Sequence, residues 1–123
     1  MLAVKNAEGL KFMTCGKLEI EILNTFWSMS GSEDITIQDV VDTMSQNGVV
    51  RAYTTVKTVM DRLVAKTVLV RYKKGKKFFY STTISKSEMA QESIKEVAGQ
   101  FFGGDYRQMQ TFIETNCLTD LVY

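Results

Sequence analysis

The sequence contains no histidine, which removes the side chain that most often serves as a general base or a metal ligand. A histidine-dependent catalytic triad, a histidine zinc site and an imidazole pH switch are therefore excluded. Proline is also absent, so turns must be made by glycine, asparagine and aspartate. The two cysteines, Cys15 and Cys117, are far apart and form no CxxC pair. Their spacing predicts neither a disulfide framework nor a metal cluster, and it favours a reducing compartment.

Long apolar runs are missing as well. No segment approaches the roughly 20 apolar residues that span a bilayer, and residues 1–14 lack the apolar centre of a signal peptide. We therefore expect a cytoplasmic protein that does not associate with membranes. Because the sequence has no histidine and no CxxC pair, we also expect no cofactor or metal. The chain has 123 residues, of which 45% are apolar and 24% charged, so it has the composition of one soluble globular protein.

Charge is unevenly distributed, although the net charge is only +1. Residues 51–77 contain nine basic side chains and one acidic side chain, a local net charge of +8, which leaves −7 for the rest of the chain. A basic block within an acidic frame concentrates attraction for a polyanion while the whole molecule stays near neutrality. This pattern favours nucleic acid as a partner, although charged runs are often only solvated faces.

Apolar side chains recur with helical spacing in three segments before residue 67. The first predicted helix covers residues 18–27. The second begins at Thr36, which with Asp39 has the form of a capping box, and it ends at Asn47-Gly48. The third covers residues 52–63, with Ala52 and four larger apolar side chains on one side and threonine, lysine and arginine on the other, but it lacks a good N-cap residue.

The pattern changes after Thr67 to β-branched and aromatic residues. Segments 68–73 and 76–82, separated by Lys74-Gly75, predict a β-hairpin with a two-residue turn. A fourth helix is predicted from the capping-box pair Ser85 and Glu88 to Gly103-Gly104, and a short fifth helix covers about residues 105–115.

The predicted order of three helices, a hairpin and a helical tail is that of a winged helix-turn-helix. The expected fold class is thus mostly α with a small antiparallel hairpin. We expect an N-terminal lead-in over 1–16, a winged-helix DNA-binding domain over 17–83 and a helical dimerisation arm over 84–123. The third helix would present its polar face to a major groove, and the lysine-rich hairpin, or wing, would lie on the phosphate backbone.

Three segments carry a resemblance to a known family. They are LEIEILNTFW at 18–27, AYTTVKTVMDRL at 52–63 and FFYS at 78–81. The chain resembles the penicillinase-repressor family of bacterial winged-helix transcriptional regulators, of the BlaI, MecI and CopY type, over about residues 18–112. The resemblance implies a homodimer joined by its C-terminal helices that binds a palindromic operator in double-stranded DNA and represses transcription.

The basic block and the resemblance together define two sets of candidate residues. The predicted DNA-binding residues are Arg51, Thr54, Thr55, Lys57, Thr58, Arg62, Lys73, Lys74, Lys76 and Lys77. The predicted dimerisation residues repeat at helical spacing on the last two helices, and they are Ala90, Ile94, Val97, Phe101, Met109, Phe112 and Ile113. Lys66 is left out, because a cation near a helix C-terminus is favourable through the helix dipole alone.

The chain departs from the family pattern in three places. Thr67 replaces the glycine that usually ends the third helix, and the loss of a left-handed cap is expected to lower stability. Members that respond to β-lactams are cut by a sensor protease at an Asn-Phe bond. The matching pair here is Thr111-Phe112, which is the candidate proteolytic site, with a sensor protease as a candidate partner. Copper-responsive members carry paired CxC motifs, whereas only Cys117 lies near the C-terminus here.

Two other classes of function remain as alternatives. In the first, a winged-helix module binds protein instead of DNA, using the apolar stripe of residues 90–101, and the lysines serve only for solubility. In the second, the protein is an enzyme, but Asp39 and Asp42 lie on an exposed helix face and the sequence contains no glycine-rich phosphate loop or nucleophile elbow. We therefore predict that the protein is not an enzyme.

Overall fold

A computed structural model describes residues 15–29, 31 and 33–118. Three helices come first: α1 (Lys17–Ser28), α2 (Ile37–Gln46) and α3 (Tyr53–Ala65). The antiparallel strands β1 (Leu69–Lys74) and β2 (Lys77–Thr82) follow, and then α4 (Lys86–Phe101) and α5 (Tyr106–Asn116). This confirms the predicted winged helix-turn-helix. The chain divides into two compact units, and the boundary between them in the sequence falls after Met89. Residues 1–14 of the predicted lead-in, which covers 1–16, lie outside the described residues.

The core of the first unit is formed where the apolar faces of α1, α2 and α3 meet. Each helix contributes residues three or four positions apart, as the 3.6-residue period requires. The side chains with essentially no exposure are Ile22, Leu23, Val40, Val56, Met60, Leu63 and Val68. The structure departs from the prediction at Ala52, which is exposed because it precedes α3 as its N-cap and lies outside the helical period.

Helix ends follow the predicted capping residues. Thr36 Oγ1 accepts the backbone N–H of Asp39 at 3.1 Å, and the Asp39 carboxylate accepts the N–H of Thr36 at 2.9 Å. Ser85 and Glu88 form the same reciprocal pair before α4. These bonds satisfy first-turn N–H groups that have no partner inside the helix, so each helix begins at a defined residue.

The hairpin differs from the prediction by one residue at its turn. Lys74 pairs with Lys77, so the loop is Gly75-Lys76 instead of Lys74-Gly75. Gly75 has a φ of +63°, which suits the first loop position of a type II′ turn. At the other end of the hairpin the Tyr80 N–H donates to the carbonyl of Ile35 at 2.8 Å, so the loop before α2 pairs with β2.

The end of α3 retains a left-handed cap although no glycine is present. Thr67 has a φ of +63°, its N–H donates to the Val64 carbonyl, and the Val68 N–H donates to the Leu63 carbonyl, both at 3.0 Å. These are the two hydrogen bonds of a Schellman motif. The cap expected to be lost is therefore present, and the cost lies in the strained backbone of a β-branched residue.

A partly buried ion pair joins the start of α1 to the end of α3. The Glu19 carboxylate, with only 6% of the residue exposed, lies 2.8 Å from Lys66 Nζ and also accepts the Gly16 N–H at 3.0 Å. Burial raises the pKa of Glu19, but the hydrogen bonds from Gly16 and Lys66 outweigh it, and the net pKa is lowered. Lys66 therefore has a structural role that its position at the helix end did not reveal.

We predict that Thr67→Gly raises the free energy of unfolding by about 1 kcal/mol, because glycine adopts a positive φ without the clash of a β-branched side chain. Urea unfolding measures the change. Ala65→Gly, two residues earlier in helical conformation, serves as the control and should lower stability by about 1 kcal/mol. Equal losses in both variants would show that Thr67 is not strained.

We predict that Glu19→Gln lowers stability at pH 7 by about 2 kcal/mol, because a neutral amide at the buried position 19 accepts the hydrogen bonds from Gly16 and Lys66 less strongly than the carboxylate does. The pKa of Glu19 is lower in the folded protein than in the unfolded chain. The contribution of Glu19 to the free energy of unfolding is therefore complete above the unfolded pKa of about 4.3, and it is lost as the pH falls through the folded pKa. Unfolding curves of the variant and the wild type should therefore converge in acid.

The control is Asp61→Asn in the exposed Lys57–Asp61 pair, which should change stability by less than about 1 kcal/mol. A difference in the free energy of unfolding between Glu19→Gln and the wild type that stays constant with pH would contradict this role of the Glu19 carboxylate.

Candidate nucleic-acid interface

All ten predicted DNA-binding residues are exposed, and they lie immediately before α3, on its outer face and on the wing. On α3 the buried positions are Val56, Val59, Met60 and Leu63, and the period of the helix then directs the intervening threonines and cations to solvent. Exposure shows that these side chains are accessible. Their contact with DNA remains a prediction.

Two of the predicted residues on α3 have partners on the same helix. Lys57 Nζ lies 3.0 Å from the Asp61 carboxylate one turn later, and this hydrogen bond raises the pKa of Lys57. Thr58 Oγ1 donates to the Thr54 carbonyl at 2.9 Å. The side chains of Thr55 and Arg62 are exposed beside them. The outer face of α3 therefore combines hydroxyl groups with cations, a mixture suited to base edges and phosphates.

The wing carries a cluster of two cations around one aromatic ring, formed by Arg71, Lys73 and Phe78. The Arg71 guanidinium lies 4.6 Å and Lys73 Nζ 5.5 Å from the centre of the Phe78 ring. Lys73 and Phe78 are directly opposed in the hairpin, which places them on one face of the sheet. Cation–π attraction orients both charges on the wing. Arg71 belongs to the basic block of residues 51–77 but is not among the predicted DNA-binding residues.

A cleft of about 470 Å³ separates the wing from the first turns of α2 and α3. Two of the predicted DNA-binding residues line it, Lys57 on α3 and Lys77 on the wing. Three other lining residues are not among the predicted ones: Gln38, Tyr53 and Arg71. Tyr53 is the first residue of α3 and is 45% exposed. The signal that could have identified it is its position, since the first residues of a recognition helix are those that reach base edges.

A second cleft, of about 570 Å³, lies between the start of α1 and the outer face of α3. Lys17 and Arg62 line it together with Thr54, Thr55 and Thr58. Lys17 was not selected from the sequence, because it lies far outside the basic block. The structure therefore extends the cationic surface beside α3 to the first residue of α1.

Lys74 differs from the other wing lysines, because it has an acidic partner. Its Nζ lies 2.9 Å from the carboxylate of Asp34, in the loop before α2, and the Tyr72 hydroxyl donates to the same carboxylate at 3.0 Å. The hydrogen bond from Lys74 lowers the pKa of Asp34, and the same bond raises the pKa of Lys74. Within the described residues no carboxylate lies within ion-pair distance of Lys76 or Lys77.

In the second unit all seven predicted dimerisation residues remain at least partly exposed. Phe101 is 73% exposed, and Ile94 and Phe112 are each 48% exposed. The Phe102 and Phe112 rings lie 5.4 Å apart, and an apolar groove of about 500 Å³ is lined by Val97, Phe101, Phe102, Met109, Phe112, Ile113 and Cys117. The candidate proteolytic bond between Thr111 and Phe112 lies inside α5.

Within the described part of the chain, no three carboxylate or thiol groups converge in a way that would hold a metal ion. None of the helices described there has the length and apolar character needed to cross a membrane.

The fold and the surface of α3 and the wing define a winged helix-turn-helix protein, and comparison with known proteins gives its family. The family model for the penicillinase repressor matches residues 15–120, and the chain belongs to this family. A penicillinase repressor of Staphylococcus aureus is 24% identical over 91 residues, which cover 74% of this chain and 69% of that protein. The family is one of transcriptional repressors and not a class of enzymes.

Proposed function

We propose that the protein is a bacterial transcriptional repressor that binds a palindromic operator as a homodimer. In this proposal α3 enters the major groove, and the wing contacts the phosphate backbone. Base edges are read by Thr55 and its neighbours on α3, whereas Arg62, Lys76 and Lys77 contact phosphates.

The observation that carries the proposal is the cationic surface formed by α3 and the wing. Residues 51–77 hold a local charge of +8, and every predicted DNA contact among them is exposed. The cleft between α3 and the wing is bordered by cations on both sides, Lys57 on one and Arg71 and Lys77 on the other. A protein partner has no need of this charge density, whereas a duplex presents phosphates at close intervals along both strands.

Apolar surface in the second unit supports the dimer. Ile94, Phe101 and Phe112 are large apolar residues with about half or more of their surface exposed to water, and the groove between α4 and α5 is lined by further apolar side chains. Two copies related by a twofold axis would cover this surface with one self-complementary patch. The same axis would place two α3 helices about 34 Å apart, one turn of DNA, and this spacing is the reason to expect a palindrome.

We predict that duplex DNA binding weakens steeply with salt and that Lys76→Ala combined with Lys77→Ala flattens the dependence. Each phosphate contact contributes about −0.9 to the slope of log K against log salt, so the double variant should lose about 1.8 of slope. Fluorescence anisotropy over a salt series measures this. In the same assay Thr55→Ala should change which operator sequence is preferred without changing the slope.

The matched control for the wing is Lys86→Ala combined with Lys95→Ala, which removes the same charge from α4. This variant should leave the slope unchanged. A wing variant with the wild-type slope would remove the wing from the interface. A wild-type chain that selects no sequence from random duplex DNA would favour the protein-binding alternative.

We predict that Ile94→Asp or Phe101→Asp dissociates the dimer, because each places a charge in an apolar contact. Sedimentation at micromolar concentration should show a dimer for the wild type and a monomer for the variants, with the helix content retained. Gln100→Asp adds the same charge to the same helix outside the stripe and should remain dimeric. A wild-type monomer at this concentration would contradict the dimer and the palindrome together.

A further inference from the structure

We infer that Asp34 is a positioning residue for the wing, and that Lys74 supports the wing through Asp34 instead of contacting phosphate. The inference rests on the proposed DNA binding and assigns different roles to lysines that the sequence does not distinguish. The group formed by Asp34, Tyr72 and Lys74 is called the Asp34 cluster below.

The geometry of the Asp34 cluster ties a loop to a strand. Tyr72 and Lys74 are alternate residues of β1, so their side chains leave the same face of the hairpin. Both reach the one carboxylate of Asp34, the Tyr72 hydroxyl at 3.0 Å and Lys74 Nζ at 2.9 Å. The neighbouring residue Ile35 accepts the Tyr80 N–H with its carbonyl. Residues 34 and 35 therefore hold β1 by a side chain and β2 by the backbone.

The backbone of Asp34 restricts which residues can occupy the position. Its φ is +59°, in the left-handed region that aspartate and asparagine adopt more readily than other side chains do. Asparagine could therefore keep this conformation, but it would lack the charge that holds Lys74. The position thus combines a backbone requirement with a carboxylate requirement, and Asp34 meets both.

The charge of Lys74 is balanced within the protein. Because the Asp34 carboxylate lies beside its ammonium group, the pair as a whole neutralises no phosphate and displaces few condensed cations from DNA. Lys76 and Lys77 have no described carboxylate within ion-pair distance, so their charges remain available to phosphates. The lysines at the wing tip are therefore of two kinds, one that holds the wing and others that contact the duplex.

The test compares single substitutions in the salt-dependence assay on the full chain. Lys76→Ala removes an uncompensated charge and should flatten the slope by about 0.9, whereas removing both members of the ion pair, in Asp34→Asn combined with Lys74→Ala, should weaken binding at every salt concentration without changing the slope. Asp34→Asn unmasks Lys74 and should make the slope steeper by up to about 0.9, and adding Lys74→Ala to it should restore the wild-type slope. Lys74→Arg keeps the ion pair and should bind like the wild type.

Glu33→Gln is the matched control, because it removes the same charge from the adjacent exposed residue, which makes no described hydrogen bond to the wing and acts on Lys74 only as the weakest of the causes that shift the pKa of Lys74. It should change the slope much less than Asp34→Asn does. If Asp34→Asn combined with Lys74→Ala flattens the slope as much as Lys76→Ala does, Lys74 contacts phosphate and the inference is overturned. The same conclusion follows if Asp34→Asn and Glu33→Gln change the slope equally.

A measurement without DNA separates failure of this inference from failure of the proposed function. NMR titration of the Asp34 carboxyl group should show a lowered pKa in the wild type and a higher pKa in Lys74→Ala, because the hydrogen bond from Lys74 is the largest cause of the lowering. This arm tests the Asp34 cluster even if the chain binds no duplex. An Asp34 pKa that is the same in the wild type and in Lys74→Ala would overturn the inference whatever the DNA assay shows.

Discussion

Burial of the inner face of α3 is the constraint on which the rest of the first unit depends. Val56, Met60 and Leu63 are completely buried, and they can be buried only where α1 and α2 present their own apolar faces to them. Since a helix turns through a fixed angle at each residue, this choice of inner face also determines the outer one. Packing and the recognition surface are therefore two consequences of one pattern, and a change of register in α3 would destroy both.

The wing shows how one strand face changes character along its length. At its base Leu69 and Tyr80 extend the core, and they are almost fully buried. Further along the same face the strands border the cleft in front of α2 and α3, and Arg71 and Lys73 lie over the Phe78 ring. The same face of the wing is therefore apolar where it packs on the core and cationic where it borders the cleft.

The features that could be predicted from the sequence are those that repeat or that act locally. The helices follow from apolar spacing, and the capping pairs of Thr36 and Ser85 follow from residues three apart. The predicted hairpin turn is wrong by one residue. Lys74-Gly75 and Gly75-Lys76 are equally suitable as the two loop residues, and only the pairing of Lys74 with Lys77 in the folded hairpin distinguishes them. Contacts between distant charged residues have no period, so the Glu19–Lys66 pair and the Asp34 cluster needed the folded chain. The exposure of the DNA-binding candidates follows from helix period and turn polarity. Tyr53 could be added from its place at the start of α3, whereas Lys17 joins the same surface only through packing.

The position of the candidate proteolytic bond Thr111-Phe112 within α5 limits the access of any protease to it. A peptide bond in the middle of a helix has its N–H and carbonyl groups engaged in the helical hydrogen-bond pattern, and a protease acts on it only in the fraction of molecules in which that segment has opened. Any partner that shields Phe112 stabilises the helix and lowers this fraction. The lifetime of the chain at this bond would then report how much of it is assembled.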